Sequence, residues 1–99
     1  MQNKLELLKL MYGQEMVGSI REENDTYVVL HPYFLLPHSD GVMLISSTIY
    51  GEQPPSITIP KSSVMFKTNI KDKLYEPIAK KWYQSIHGFN LQDRITDVQ

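Results

Sequence analysis

The chain has 99 residues, the size of one small domain. Its net charge of −1 argues against a broad cationic surface for duplex nucleic acid, and the absence of cysteine excludes disulfides and thiolate metal sites. No window approaches the ~18 apolar residues of a membrane helix, and the first residues lack a signal-peptide pattern, so we expect a cytoplasmic protein without membrane contact.

The first signal along the chain is a β-hairpin around Gly13. An apolar-rich segment, residues 5–11, precedes this glycine, and residues 16–21 alternate after it, which predicts strand–turn–strand. Residues 4–9 also fit the start of a helix, and the pattern leaves this alternative open. Gly18 lies inside the second strand and predicts a sharp bend or a close backbone approach.

The middle of the chain predicts more strands. Residues 26–30 are rich in β-branched and aromatic side chains and indicate a buried strand. Because proline cannot donate to a sheet, Pro32 and Pro37 predict an edge or an irregular extension between them. Residues 38–41 predict a turn, and residues 42–50 predict a strand.

The last strands are short. Residues 56–59 alternate, residues 61–63 form a tight connection, and residues 64–66 predict one more strand after a loop at residues 51–55. The period then changes to that of a helix, with Pro77 as its first residue and Gly88 as its C-cap. Its apolar positions are Ile78, Ala79, Trp82, Tyr83 and Ile86.

Two segments carry a resemblance to a known family. Residues 13–20 and the strand Tyr27–Leu30 resemble the first Sm motif, in which a turn glycine and a strand glycine alternate with apolar residues. Residues 57–65 look like the short second motif, two strands joined by a very tight loop. The spacing is closest to bacterial Hfq and its viral or archaeal relatives.

This resemblance to the Sm-like (LSm) family implies an all-β fold. It implies a five-stranded, strongly bent antiparallel barrel of the Sm-like or SH3-like kind, here with a C-terminal α-helix. We expect the barrel in residues 1–70, the helix packed on it in residues 71–90, and a tail in residues 91–99. Family members join edge to edge through their fourth and fifth strands into rings of five to seven subunits, and RNA binds around the pore or on a face.

The resemblance also suggests an RNA-binding site. Its residues lie in two loops that meet at the pore of a ring: Asn24, Asp25, Thr26, Tyr27, Lys61 and Ser62. An aromatic face can stack a base, amides and hydroxyls can read its edge, and a lysine can meet a phosphate. Tyr27 has a second interpretation as a core strand residue. Glu22 and Glu23 beside the site would repel phosphate.

Other chemistry finds little support in the sequence. His31, His38 and His87 lack metal-ligand spacing, the acidic residues near position 23 fit a solvated turn, and neither a nucleophile elbow nor a phosphate-binding glycine loop is present. We therefore expect neither an enzyme nor a metal or other cofactor.

The sequence leaves three hypotheses open about the assembly and function of this chain. The first is a homo-oligomeric ring that binds single-stranded RNA in an RNA-chaperone type of role. The second is a ring used only for protein assembly, without nucleic acid. The third is an unrelated SH3-like monomer.

The helix face with Trp82 is expected to cover the barrel as core, or else to dock a protein. Tyr33–Leu36 is a candidate exposed apolar patch for a contact with another subunit or with a partner.

Overall fold

The computed structural model describes residues 4–39 and 41–87. These residues form a mainly β domain with six antiparallel strands and one helix that follows them. The strands are β1 (Leu5–Leu10), β2 (Glu15–Glu23), β3 (Thr26–His38), β4 (Gly41–Ser46), β5 (Ser56–Pro60) and β6 (Val64–Asn69). A 3-10 turn, Lys61–Ser63, joins β5 to β6, and helix α1 spans Asp72–His87. Within the described residues, the helix lacks the length and hydropathy that a membrane span needs.

Strand β3 organises the sheet. The strands lie in the order β4-β3-β2-β1-β6, and β5 pairs with the first half of β3 while β4 pairs with its second half. The sheet therefore has the six strands that the pattern predicts, one more than the five that the resemblance implies, and it is not closed, because no ladder between β5 and β6 is present in the described residues. Residues 4–9, which the pattern left open, belong to a strand.

The sheet bends where Gly18 faces β3. A Cβ placed on Gly18 would lie 2.5 Å from Val29 Cγ1 and 2.7 Å from the Leu30 carbonyl oxygen, so only glycine allows this approach. The β2–β3 register shifts at the same place, and His31 adopts a positive φ of 52°. The close approach predicted for this glycine is confirmed.

Two alternatives were predicted for the stretch between Pro32 and Pro37. An edge is wrong, because residues 33–35 pair with both β2 and β4, whereas an irregularity is found at Pro32, beside the shift in the β2–β3 register. β3 continues through both and lies between β2 and β4 in its second half. Pro32 falls in a gap that the ladders to β2, β4 and β5 all skip, so its missing N–H interrupts no pair. Pro37 lies beyond the end of the ladder with β2.

Two apolar clusters hold the fold together. The inner cluster contains buried Leu8, Met16 and Val29, and partly buried side chains from both β5 and β6 pack against it. Because β5 and β6 lie at opposite ends of the sheet, this shared contact shows that the sheet wraps around the inner cluster. The outer cluster joins Leu5, Leu7, Val17 and Ile70 to Ile78 and Trp82 of the helix.

Helix α1 covers the outer face of the sheet. Ile78 and Trp82 are buried, and the Trp82 indole N–H donates to the His31 carbonyl at 2.8 Å. The prediction that Pro77 is the first helical residue is wrong, because the helix begins five residues earlier, at Asp72. The helix begins earlier because Asp72 suits a first turn and the Tyr75 hydroxyl accepts from the Leu5 N–H at 3.0 Å.

The strand that follows Gly41 is shorter than predicted, and the features predicted after residue 87 lie outside the described residues. The strand predicted for residues 42–50 ends at Ser46, where the Gln53 side chain replaces a sheet partner by accepting from the Ser47 N–H at 2.8 Å. At the turn predicted for residues 38–41, His38 pairs with Gly41, and residue 40 lies outside the described residues. The C-cap predicted at Gly88 and the tail of residues 91–99 lie outside the described residues.

Candidate functional site

The two predicted site loops lie side by side. The β2–β3 hairpin turns through Asn24 and Asp25, with Asn24 at a φ of 55°, a conformation that asparagine tolerates well. The backbone N–H of Lys61 donates to the Asp25 carbonyl at 2.8 Å, which fixes the 3-10 turn against the hairpin. We call residues 21–27, Lys61 and Ser62, together with Lys67 and Glu6 that join them through ion pairs, the loop cluster.

The loop cluster contains all six predicted site residues. Asn24, Asp25 and Ser62 are exposed, while Thr26, Tyr27 and Lys61 are half-buried. Thr26 donates its hydroxyl hydrogen bond to the Glu23 carbonyl at 2.7 Å, which closes the turn. The two turns that hold these residues therefore lie together, and RNA binding by the six residues stays a prediction.

Tyr27 is a half-buried strand residue, which fits its interpretation as core, and base stacking by its ring stays a prediction. One part of its ring packs against the inner cluster, and the Lys61 ammonium lies 5.4 Å from the ring centroid. This distance is within the range of a cation–π contact. A base that stacks on this side of Tyr27 therefore has to displace the Lys61 ammonium, which would leave that cation beside the nucleotide.

Glu22 forms an ion pair with Lys61 that the sequence did not predict. Its carboxylate lies 2.9 Å from Lys61 Nζ and 3.6 Å from Lys67 Nζ. Lys67 in turn lies 3.4 Å from the Glu6 carboxylate. No spacing rule could reveal this network, since 39 residues separate Glu22 from Lys61 and only strand pairing brings them together.

The ion pair shifts both titrations. The hydrogen bond and charge of Lys61 hold the pKa of Glu22 below its ordinary value, and the same hydrogen bond raises the pKa of Lys61. The stabilisation linked to Glu22 is therefore present above the ordinary glutamate pKa of about 4.3 and is lost as the pH falls through the lowered value. Both side chains remain in contact with solvent, so the pair adds little stability.

The loop cluster is close to electrically balanced. It carries four carboxylates and three cationic groups within its ion pairs and turn: Glu6, Glu22, Glu23, Asp25, Arg21, Lys61 and Lys67. Among the described residues, no three metal-ligating side chains come together. The arrangement can stack a planar group and offer hydrogen bonds, but it attracts an anion only where a lysine is released from its carboxylate.

Comparison with protein-family models and with curated proteins finds no match to this chain. The class that the fold defines is a mainly β domain in which a bent antiparallel sheet carries a helix on its outer face.

Proposed function

We propose that this chain is an Sm-like protein that assembles into a homo-oligomeric ring and binds single-stranded RNA. The juxtaposition of Tyr27 and Lys61 at the meeting point of two turns is the observation that carries the RNA part of this proposal. The family resemblance places base stacking at the first turn and polar contacts at the second, and both groups lie within one cluster.

The edges of the sheet support the ring. β5 and β6, the two strands of the motif that resembles the second Sm motif, each have only one sheet neighbour in the described residues. On β6, Met65 and Phe66 are more than half exposed, and unpaired edges with exposed apolar side chains invite pairing with another chain. We propose that β5 of one copy pairs antiparallel with β6 of the next, as in every ladder of this sheet. A rotation that closes makes such head-to-tail contacts a ring.

A ring multiplies a weak site. Each stacked base contributes ~1–3 kcal/mol, and repeated copies of one contact raise the apparent affinity through effective concentration. Because the loop cluster carries no net positive charge, we propose that stacking and hydrogen bonding contribute more than charge attraction, so the salt dependence is shallow.

The test is RNA binding by fluorescence anisotropy with oligo-U and oligo-A at low salt. Tyr27→Leu keeps an apolar side chain against the inner cluster but removes the stacking ring, and we expect it to weaken binding about tenfold, the lower part of the stacking range. Lys61→Ala should weaken binding less. Tyr83→Ala and Lys80→Ala, exposed helix positions away from the loop cluster, are the matched controls and should bind like the wild type. Absence of binding by the wild-type ring, or equal binding by Tyr27→Leu, would refute the RNA function.

A second candidate is a ring that serves only protein assembly. The observation in its favour is the pairing of Lys61 and Lys67 with carboxylates, which leaves neither lysine unopposed. In that case the edges still assemble the chain, and neither oligonucleotide binds at any salt concentration.

A further inference from the structure

The β4–β5 loop, residues 47–55, is firmly attached at its base. The Gln53 side chain accepts hydrogen bonds from the Ser47 N–H at 2.8 Å and the Ser46 hydroxyl at 2.6 Å, and it donates to the Pro32 carbonyl. The Thr48 hydroxyl donates to the Gly51 carbonyl at 2.5 Å. These bonds hold the loop in one shape.

The tip of this ordered loop carries two large apolar side chains in solvent. Ile49 is 85% exposed and Tyr50 is 100% exposed. Neither side chain packs against its own domain, although the hydrogen bonds at the base fix the backbone that presents them. A constrained loop that displays adjacent apolar residues has the character of a contact surface.

A groove of matching character lies on the outer face of the same chain. It lies between the sheet and the first half of α1, has a volume of about 790 Å³, and includes Phe66, Leu74 and Ile78 in its walls. Thr68 and Asn69 of β6 line one side. This volume falls within the roughly 300–1,000 Å³ of clefts that bind small molecules, so the groove is large enough to hold two side chains.

The proposed edge pairing brings the loop tip and the groove of two copies together. In an antiparallel ladder the first residue of β5, Ser56, comes to lie near the last residue of β6, Asn69 of the partner subunit. Tyr50 precedes Ser56 by six residues, so it reaches at most about 20 Å from that point. Asn69 itself lines the groove, so the groove of the partner subunit begins where the loop arrives.

We infer that Ile49 and Tyr50 of each copy insert into the outer groove of the neighbouring copy. The partner is a second copy of this chain, and the contact is head-to-tail, because the loop and the groove are different surfaces of one molecule. This inference rests on the ring proposed above. It adds that the subunit contact consists of an edge ladder and a loop-in-groove contact beside it.

Cysteine cross-linking tests this contact directly, because the wild-type chain has no cysteine. In the variant Tyr50→Cys/Leu74→Cys, a short bismaleimide should join neighbouring copies and give a ladder of covalent oligomers on a denaturing gel. Tyr50→Cys/Lys80→Cys is the matched control, with equal cysteine content and its second thiol on an exposed helix position outside the groove walls. We expect at least a fivefold lower yield of oligomers from the control.

The companion variant Ile49→Ser/Tyr50→Ser changes only exposed side chains and should fold as the wild type does. We expect at least a tenfold rise in the concentration needed for half-assembly. Suppose that the wild type forms a ring. Equal cross-linking yields from the two cysteine variants, or unchanged assembly of the serine variant, would then overturn the loop-in-groove contact alone. A wild-type chain that stays a monomer would overturn the ring and this contact with it.

Discussion

Beneath α1 the sheet is covered by apolar side chains, whereas ion pairs between solvent-accessible groups link the residues of the loop cluster. Ile78 and Trp82 are buried in the outer cluster, while the Lys61–Glu22 pair stays in contact with solvent. Buried apolar area contributes far more to stability than exposed ion pairs do. The comparison therefore separates a region that stabilises the fold from a region whose residues can change without unfolding it.

The largest effect expected is that of Trp82→Ala. It removes a buried aromatic side chain and leaves the His31 carbonyl without its indole donor, so the free energy of unfolding should fall by about 3–5 kcal/mol. Urea unfolding followed by circular dichroism measures this change. Tyr83 is the neighbouring residue and is 58% exposed, so Tyr83→Ala should change the free energy of unfolding by less than about 1 kcal/mol. Equal effects of the two substitutions would contradict a helix packed on the sheet through Trp82.

An intermediate effect is expected for Gly18→Ala. The added methyl group would meet Val29 Cγ1 at 2.5 Å and the Leu30 carbonyl at 2.7 Å, so we expect a loss of roughly 1–3 kcal/mol. Gly51→Ala is the matched control, since its new methyl group would lie 3.5 Å from the nearest atom, Thr48 Oγ1. The same urea titration compares them, and a Gly18→Ala protein as stable as Gly51→Ala would show that the bend does not depend on this close approach.

The smallest effect on stability is expected for Glu22→Gln, in the loop cluster. The exposed pair it removes is worth well under about 1 kcal/mol, but Lys61 and Lys67 each lose a carboxylate neighbour. Oligonucleotide affinity should therefore rise a few-fold, with a steeper salt dependence. Glu76→Gln, an exposed helix position, is the control for the change in net charge. An unchanged or lower affinity of Glu22→Gln, relative to this control, would contradict a lysine held back by Glu22.

Local sequence patterns predicted the elements whose partners are close along the chain. The hairpin around Gly13 and the tight connection at residues 61–63 depend on turn chemistry and alternation. The expectation that the two site turns meet came instead from the family resemblance, because Asp25 and Lys61 are far apart along the chain. The order of the strands depends on contacts between distant residues, and so does the pairing of β3 with β5 in addition to β2 and β4. No local pattern encodes these contacts.

The errors have the same physical origin. Pro77 looked like a helix start because the apolar period begins at Ile78, yet Tyr75 anchors an earlier turn through a hydrogen bond to Leu5, 70 residues away. The strand from Val42 was predicted too long because the hydrogen bonds of Gln53 to the loop were not visible in the pattern. In each case a distant or side-chain contact overrode local propensity.

The central claim is that the open edges of β5 and β6 are paired by identical copies of the chain, and light scattering coupled to size-exclusion chromatography tests it most directly. We expect a uniform particle of five to seven times the 11.5 kDa chain mass, with a mass that does not change over a wide range of protein concentration. A particle of 11.5 kDa at every concentration would contradict it.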